Sequence, residues 1–283
     1  MKLNLCSPAK VNLFLHIQGK RRDGYHELAS LYQAVSLFDS IEITSADADS
    51  FTCNIDRLQN EQNLAVQARD LFRRKTGIDN PVSISLDKYI PAEAGLGGGS
   101  GNAATVLWGM NQIFGSPVSE TALQSWSAEL GSDVPFFFSK GTAYCTGRGE
   151  KVKNVGPIDP IPLAIVKPNI SLSTKAVYSR LAVSSPGNSK ETLQRFLSGR
   201  PQFENDLESA AFALCPELKD FKKNLLAQSS DVLLCGSGSS FFCVCGNNGL
   251  PVEFINRRGG DWYSSAHKRL REIKDLHKLS PGI

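Results

Sequence analysis

The sequence predicts an α+β fold in two lobes. Strand and helix patterns are mixed along the whole chain, without the regular strand–helix alternation that builds a parallel sheet. The 283 residues are 41% hydrophobic, which is enough apolar material for a folded core. This length fits one large domain or two ordinary ones. A second section begins near residue 156, where Pro157, Pro160 and Pro162 interrupt the pattern.

The first elements follow from apolar periodicity. Residues 10–17 are apolar at every odd position, which predicts a strand. A second strand is predicted over 31–44, with an interruption at Asp39-Ser40. Residues 61–76 place their apolar side chains on one helical face, and Gly77 is a suitable end for that helix.

The middle of the chain alternates between short strands and helices. Residues 82–86 alternate as a strand, and a glycine-rich segment follows them. Helices are then predicted over 103–114 and over 119–130, the second with Ser119 as its N-cap. A strand over 141–146 ends this section.

The second section carries a comparable mixture of elements. It begins with a strand and ends with a basic helix, whose charges are most simply a solvated face. The predicted elements are a strand at 163–166, a helix at 174–181, a polar loop at 183–190, helices within 204–227, a strand–glycine turn–strand unit over 231–245, and a helix at 262–278.

The charge balance limits the partners of the chain. The 31 Lys and Arg residues against 28 Asp and Glu residues give a net charge of +3, which argues against a dedicated nucleic-acid binder. A small anionic ligand stays compatible with this balance. No apolar run approaches the ~18–20 residues that span a bilayer, and residues 1–5 have no signal-peptide pattern. We therefore expect a cytoplasmic protein without a membrane partner, either a monomer or a homodimer.

The seven cysteines are interpreted as small buried hydrophobic residues in a reducing compartment. No Cys-x-x-Cys occurs, and the four histidines do not complete a zinc pattern. Cys243 and Cys245 are two apart in an apolar run, as residues on one face of a strand would be.

A glycine-rich loop between a predicted strand and a predicted helix is the clearest candidate site. Glycine lets the backbone approach a ligand closely, and the first N–H groups of a helix lack internal partners. Such a loop can bind phosphate; a flexible linker or an ordinary turn is the alternative. The loop consists of Pro91, Ala92, Glu93, Ala94, Gly95, Leu96, Gly97, Gly98, Gly99, Ser100 and Gly101.

Common phosphate loops do not fit this segment. A Walker A loop ends in Gly-Lys-Ser/Thr, whereas this loop ends in Gly99-Ser100-Gly101. The dinucleotide pattern Gly-x-Gly-x-x-Gly fails from both Gly95 and Gly97. Protein kinases carry His-Arg-Asp and Asp-Phe-Gly motifs, and the sequence contains neither.

The loop, followed by Asn102-Ala103-Ala104, instead resembles the central motif of the GHMP kinases (galactokinase, homoserine, mevalonate and phosphomevalonate kinases). Two more segments resemble motifs of that family in the same order, Pro8-Ala9-Lys10-Val11-Asn12-Leu13 and Cys235-Gly236-Ser237-Gly238-Ser239-Ser240-Phe241. Three ordered matches over about 230 residues are far more specific than one.

Further segments are similar to the branch of this family that phosphorylates a cytidylated methylerythritol. These are Arg22-Asp23-Gly24-Tyr25-His26-Glu27-Leu28, Gly131-Ser132-Asp133-Val134-Pro135-Phe136-Phe137 and Gly147-Arg148-Gly149-Glu150. The resemblance covers nearly the whole chain. It implies ATP-dependent phosphorylation of the 2-hydroxyl of that alcohol in the non-mevalonate isoprenoid pathway. One departure is Gly101, where the family commonly has a second serine, so one hydroxyl near phosphate or metal is missing.

The resemblance implies roles for three polar residues. Asp133 would accept the proton of the substrate hydroxyl, although an Asp before an apolar run is more commonly a cap. Lys10 would steady the transferring phosphoryl group and lower the pKa of the hydroxyl. A strand lysine is usually solvated, and the sequence pattern alone leaves that alternative open. Asn12 lies on the same strand face as Lys10 and would hydrogen-bond the polyol.

Four residues match the cytidine site of the family. Tyr25 would stack on the base and His26 would bond its polar edge; a surface aromatic and an ordinary histidine are the alternatives. Thr174 and Tyr178 are four apart and share one helical face. They would close the other side of the base, and plain helix packing is their alternative.

The resemblance also implies the architecture and the cofactors. Residues 1–155 would form a lobe like the second domain of ribosomal protein S5, and residues 156–283 a ferredoxin-like lobe. ATP and substrate would meet between them, with Gly236–Ser240 beside the phosphates. Mg2+ would bind chiefly through the nucleotide, with Ser100 as a nearby hydroxyl and no dedicated protein metal site.

Two other functions compete with this interpretation. Another GHMP kinase, for homoserine or phosphomevalonate, is disfavoured by Asp23-Gly24-Tyr25-His26-Glu27, because those substrates carry no nucleobase. A nucleotide-binding regulator without catalysis would most simply have lost Lys10 or Asp133, and both are present.

Overall fold

A long antiparallel hairpin is the centre of the first sheet. In this computed structural model, which describes residues 1–181, 187–244 and 249–252, the hairpin consists of Lys2–Lys20 (β1) and His26–Ser45 (β2). The pairing shifts register at three points along β1, and each shift breaks the period-two pattern. The predicted strands at 10–17 and 31–44 lie within β1 and β2, which both extend further in each direction.

The first sheet has seven strands. Because β2 is long, two strands pair with different parts of it: one with its C-terminal part and one with its N-terminal part. The added strands are Ser50–Cys53 (β3), Val82–Asp87 (β4), Thr142–Gly147 (β5), Lys151–Asn154 (β6) and Glu204–Asn205 (β8, from the second section).

Three helices belong to this part of the chain, and two of them begin at a residue whose side chain caps the helix. Leu64–Thr76 (α1) is capped by the Asn63 side chain and ends at Gly77, which has a left-handed φ of 73°. Gly98–Ile113 (α2) is almost fully buried and packs against α1 and β1. Glu120–Ser127 (α3) is capped by Ser119, as predicted. Short 3-10 helices lie at Asp56–Leu58 and Val134–Phe138.

The second sheet has four strands in the order β11-β7-β10-β9. Its strands are Leu163–Val166 (β7), Asp231–Leu234 (β9), Phe241–Val244 (β10) and Leu250–Val252 (β11). Its helices are Thr174–Ser179 (α4), Ser189–Leu197 (α5), Leu207–Leu214 (α6) and Pro216–Leu226 (α7).

The predicted fold class is confirmed: the chain is α+β, with two sheets and helices in both parts. The helix expected over 103–114 starts earlier, at Gly98, because Gly97 supplies the left-handed residue that turns the loop into α2. The short elements β3, β6, β8, β11 and α5 were not predicted, since four of the five span four residues or fewer. The helix at 262–278, Cys245 and residues 183–186 of the loop at 183–190 lie outside the described residues. The predicted loop is wrong at its end, because Ser189 and Lys190 form the first turn of α5.

Large aliphatic and aromatic side chains fill the interior of both parts, and each fully buried one contributes ~1.5–3 kcal/mol. The described cysteines are free, and five of the six are buried, as predicted. Among the described residues, no helix has the length and apolar character needed to cross a bilayer.

Candidate active site

One large cavity joins the segments that the sequence singled out. Its volume is about 1290 Å3, above the ~300–1,000 Å3 of an ordinary small-molecule site. First-lobe residues and second-lobe residues both line it. The cavity contains every predicted site residue except Gly101: Lys10, Asn12, Tyr25, His26, Pro91–Ser100, Asp133, Thr174 and Tyr178.

The glycine loop follows β4 and runs into the N-terminus of α2. Gly97 has a φ of 66°, and a Cβ there would lie 2.9 Å from Lys10 Cγ. The Lys10 backbone N–H donates to the Leu96 carbonyl at 2.9 Å, so the loop lies directly on β1. Gly98, Gly99 and Ser100, the first residues of α2, line the cavity, and the first N–H groups of a helix suit an anion.

Gly101 has a packing role rather than a place in the cavity wall. It is buried in the first turn of α2, and a Cβ there would lie 2.7 Å from the Pro8 carbonyl oxygen. A serine would therefore collide with β1 unless the helix moved. The structure does not bring Gly101 to the candidate phosphate position.

The glycine turn Gly236–Ser240, which follows β9, packs against the glycine loop. The Ser240 backbone N–H donates to the Ala94 carbonyl at 3.2 Å. Gly95 has a φ of 76°, and a Cβ there would fall 1.8 Å from the Cys235 carbonyl oxygen. Only glycine fits at this crossing, which puts the turn after β9 beside the loop as the resemblance implied.

Lys10 and Asp133 meet at the floor of the cavity. Lys10 Nζ lies 3.5 Å from Asp133 Oδ2, and the lysine is 3% exposed. The solvated alternative for Lys10 is therefore wrong. Tyr32, which sequence reasoning missed, donates its hydroxyl to Asp133 Oδ1 at 3.0 Å. Its ring lies under Lys10 Nζ at 4.7 Å, so both ends of the ion pair are oriented by one tyrosine.

Asn12 lies on the Lys10 face of β1, as predicted. Its Oδ1 accepts a hydrogen bond from Lys10 Nζ at 2.8 Å, and its Nδ2 donates to Ser30 Oγ at 2.9 Å. Ser30 Oγ in turn donates to the Phe14 carbonyl. This buried relay fixes the position of the ammonium.

The four residues assigned to a nucleobase also line the cavity. The His26 and Tyr178 rings lie 5.5 Å apart, and Thr174 Oγ1 contacts Ser237 Oγ at 2.9 Å. Tyr25 is 56% exposed. The Arg148 guanidinium lies 5.0 Å over the Tyr25 ring.

Hydrogen bonds join the Tyr25 hairpin to the 147–150 turn. Asp23 accepts from the Tyr25 N–H at 3.1 Å and from Arg21, and Arg21 also pairs with Glu27 at 2.6 Å. Glu27 Oε1 accepts the Gly147 N–H at 3.1 Å. The signal for this link was present in the sequence as the Gly147–Glu150 segment, but its contact with Tyr25 depends on the β2–β5 pairing.

The surroundings of His26, Tyr32 and Tyr178 keep these three side chains neutral. Burial, and secondarily the charge of Lys20, lowers the pKa of His26, so its ring is neutral at pH 7. Burial and the charge of Asp133 raise the pKa of Tyr32 and of Tyr178, so both phenols keep their protons.

Within the described residues, no group of three or more His, Cys, Asp or Glu side chains is placed to hold a metal. A divalent cation here would depend on ligands that arrive with the nucleotide. Ser100 is the hydroxyl that lines the cavity at the start of α2.

The fold and the loop define the class of protein. A profile for the domain described as "GHMP kinases N terminal domain" matches residues 63–141, which include the glycine loop and Asp133. A crystal structure of homoserine kinase from Cytophaga hutchinsonii superimposes with a TM-score of 0.69 at 18% identity, covering 91% of this chain and 96% of that chain. That likeness shows the two-lobed GHMP kinase fold.

More similar proteins narrow the class. A 4-diphosphocytidyl-2-C-methyl-D-erythritol kinase from Protochlamydia amoebophila is 47% identical over 275 residues, 94% of each chain. A crystal structure of 4-(cytidine 5'-diphospho)-2C-methyl-D-erythritol kinase has a TM-score of 0.75 at 31% identity, covering 91% of this chain and all of that one. The chain belongs to the family of 4-diphosphocytidyl-2-C-methyl-D-erythritol kinases.

Proposed function

We propose that the chain transfers the γ-phosphoryl group of ATP to the 2-hydroxyl of 4-diphosphocytidyl-2-C-methyl-D-erythritol, in the non-mevalonate route to isoprenoids. One observation carries the proposal: the Lys10–Asp133 pair, the glycine loop and the Tyr25–His26–Tyr178 group line a single cavity. A phosphate donor and a nucleobase-linked alcohol can therefore bind in one cavity that also holds a lysine–aspartate pair.

Asp133 is the group that accepts the proton of the attacking hydroxyl. Its Oδ1 is held by Tyr32 and its Oδ2 faces Lys10, so the carboxylate has a fixed orientation. Lys10 stabilises the negative charge that builds on the hydroxyl oxygen and on the transferring group. Asn12, beside Lys10, is positioned to bond the polyol.

The loop Pro91–Gly99 and the start of α2 supply backbone N–H groups for the ATP phosphates. When bound, Mg2+ would neutralise phosphate charge; the nucleotide would hold it, with Ser100 as the nearby protein hydroxyl. At the other end, neutral His26 can both donate to and accept from the edge of cytosine, and Tyr25 and Tyr178 offer faces for stacking.

A coupled ADP-release assay on purified protein tests the substrate. The acceptors are the cytidylated alcohol, free methylerythritol 4-phosphate, homoserine and phosphomevalonate. We expect turnover of the cytidylated alcohol alone. Turnover of homoserine without turnover of the cytidylated alcohol would overturn the proposal.

Asp133→Ala separates an enzyme from a nucleotide-binding regulator. We expect a fall in turnover of about 10²–10⁴-fold, the range for a lost general base, with ATP affinity in calorimetry nearly unchanged. Because Tyr32 and Lys10 also face this carboxylate, Asp133→Asn serves as the isosteric control and should show the same loss. Unchanged turnover in both variants would remove Asp133 from the mechanism.

A further inference from the structure

A buried charged cluster lies directly beneath the glycine loop; Lys88 and Asn102 of this cluster line the cavity, and Asp39 lies behind them. Asp39 on β2 is fully buried, and its Oδ2 accepts from Lys88 Nζ at 2.5 Å. Asn102 on α2 donates to the same oxygen at 2.8 Å and accepts from Lys88 Nζ at 3.2 Å. Asn102 also donates to Ser7 Oγ on β1 at 3.0 Å.

The carboxylate of Asp39 contacts both ends of the loop. Its Oδ1 accepts the backbone N–H groups of Tyr89 and Ile90, each at 2.8 Å, and these residues immediately precede Pro91. Its Oδ2 binds Asn102, which immediately follows Gly101. The Asp39 side chain therefore fixes the distance between Ile90, which precedes the loop, and Asn102, which follows it.

The glycine loop packs directly against this cluster. A Cβ at Gly98 would lie 2.9 Å from Lys88 Nζ and 2.9 Å from Ile90 Cγ2. Gly98 opens α2, so the first turn of that helix packs on the ion pair. A shift of Asp39 or Lys88 would move the first turn of α2, whose residues line the cavity.

A buried ion pair is a weak source of net stability, because desolvation offsets the attraction between the charges. An apolar pair of similar volume would serve a purely structural purpose as well. The cluster also explains the interruption of the β2 pattern at Asp39-Ser40. At that point the Asp39 side chain bonds the residues before the loop and does not pack in the apolar core.

We propose that Asp39 is a positioning residue for nucleotide binding: its carboxylate holds the loop at the spacing in which backbone N–H groups receive the ATP phosphates. This inference rests on the proposed function as an ATP-dependent kinase. Asp39 acts through Tyr89, Ile90 and Asn102 and does not itself contact the nucleotide.

Asp39→Asn is the direct test. The amide keeps an oxygen for the Tyr89 and Ile90 N–H groups but places a donor against Lys88 and Asn102. We expect the KM for ATP to rise about 10–100-fold, as for an angstrom-scale misplacement of a binding group. The KM for the cytidylated alcohol should stay within about twofold, because the hydrogen bonds of Asp39 go to the loop, Lys88 and Asn102 and not to Tyr25, His26 or Tyr178. Calorimetry with ATP alone should show the same loss of affinity.

Asp49→Asn is the matched control. Asp49 also accepts a backbone N–H, from Val82 at 2.9 Å, and pairs with a cation, Arg73 at 2.6 Å. It lies at the opposite end of β4 from Lys88. We expect this variant to lower stability without changing the KM for ATP. The same pattern in Asp39→Asn, lower stability with an unchanged KM for ATP, would overturn the inference.

Asn102→Ala keeps the inference testable if Asp39→Asn does not fold. This variant removes the hydrogen bonds that Asn102 of α2 makes with the cluster, and it leaves the Asp39–Lys88 ion pair in place. We expect a KM for ATP between those of the wild type and of Asp39→Asn; a wild-type value would contradict the positioning role. A wild-type chain that binds ATP but does not phosphorylate the alcohol would contradict the proposed function and not the positioning role. In that case, calorimetry would still compare the ATP affinity of the wild type with that of Asp39→Asn.

Discussion

At the residue scale, the Lys10–Asp133 ion pair shows how neighbouring groups stabilise a buried charge whose desolvation costs free energy. Lys10 is removed from water and receives three compensating contacts, from Asp133, Asn12 and the face of Tyr32. Tyr32 also donates to Asp133, so the geometry of the pair is set from the sheet and not from a flexible loop. A reacting hydroxyl would meet groups that need little reorganisation.

His26 is predicted to determine affinity for the cytidylated substrate. Because burial lowers its pKa, the ring is neutral at pH 7 and can offer both a donor and an acceptor. His26→Ala should raise the KM for that substrate about tenfold, the effect of ~1.4 kcal/mol, and leave the KM for ATP nearly unchanged. Steady-state kinetics with each substrate varied in turn measures both constants.

The conservative variant His26→Gln is the control for this prediction. Glutamine keeps a donor and an acceptor, so it should recover part of the lost affinity. An equal rise in the two KM values for His26→Ala would show that the histidine does not select the base.

Sequence reasoning found the residues of the site but not their supports. Lys10, Asp133 and His26 were predicted because they stand in motifs that resemble a known family. Tyr32 and Asp39 stand in no such motif; Tyr32 lies within a predicted strand, and Asp39 is marked in the sequence only as an interruption of that strand. Their roles come from pairing across β1, β5 and the glycine loop, which local periodicity does not encode.

At the element scale, the boundaries that carry a chemical cap were predicted well. Ser119 and Gly77 mark their helix ends in the sequence, because the side-chain oxygen and the left-handed backbone are local properties. The start of α2 was placed five residues late. Glycine has poor helix propensity, so the run Gly97–Gly101 is predicted as a loop. The close approach of Lys10, Lys88 and Pro8, which leaves no room for a Cβ at Gly97, Gly98 and Gly101, is visible only in the structure.

The Asp49–Arg73 pair, which joins α1 to the start of β4, predicts a pH-dependent stability. Hydrogen bonds from Arg73 hold the pKa of Asp49 at about 2, below its unfolded value of ~3.9. The stabilisation is therefore complete above the unfolded value and is lost as the pH falls towards 2. Since Asp49 is 37% exposed, Asp49→Asn should cost only about 1 kcal/mol at pH 7.

Urea unfolding of wild type and Asp49→Asn at several pH values between 7 and 3 checks this prediction. The difference in free energy of unfolding should shrink as the pH falls below about 4, where the unfolded carboxylate is protonated. A difference that stays constant down to pH 3 would show that the ion pair does not titrate as described.

At the scale of the whole molecule, the site exists only because distant segments converge. β1, the glycine loop and the turn after β9 lie far apart in the chain, yet Leu96 bonds to Lys10 and Ala94 bonds to Ser240. The two lobes therefore touch at the glycine loop itself. The order of the motifs predicted a shared site, whereas the tightness of the contact between the two glycine turns required the structure. The division of the chain at residues 155 and 156 stays a prediction.

Gly95→Ala tests whether this contact between the lobes is as tight as the geometry states. The new Cβ would overlap the Cys235 carbonyl oxygen at 1.8 Å, and the residue would keep a φ of 76°. Left-handed strain of ~1–2 kcal/mol and overpacking of ~1–3 kcal/mol predict a loss of about 2–5 kcal/mol in free energy of unfolding, with a matching loss of activity.

Gly99→Ala is the control in the same loop: its nearest neighbour is Leu64 Cδ1 at 3.4 Å, and helix propensity favours alanine there by up to ~1 kcal/mol. Chemical unfolding of both variants decides the matter, because equal stabilities would mean that the two glycine turns do not meet as described.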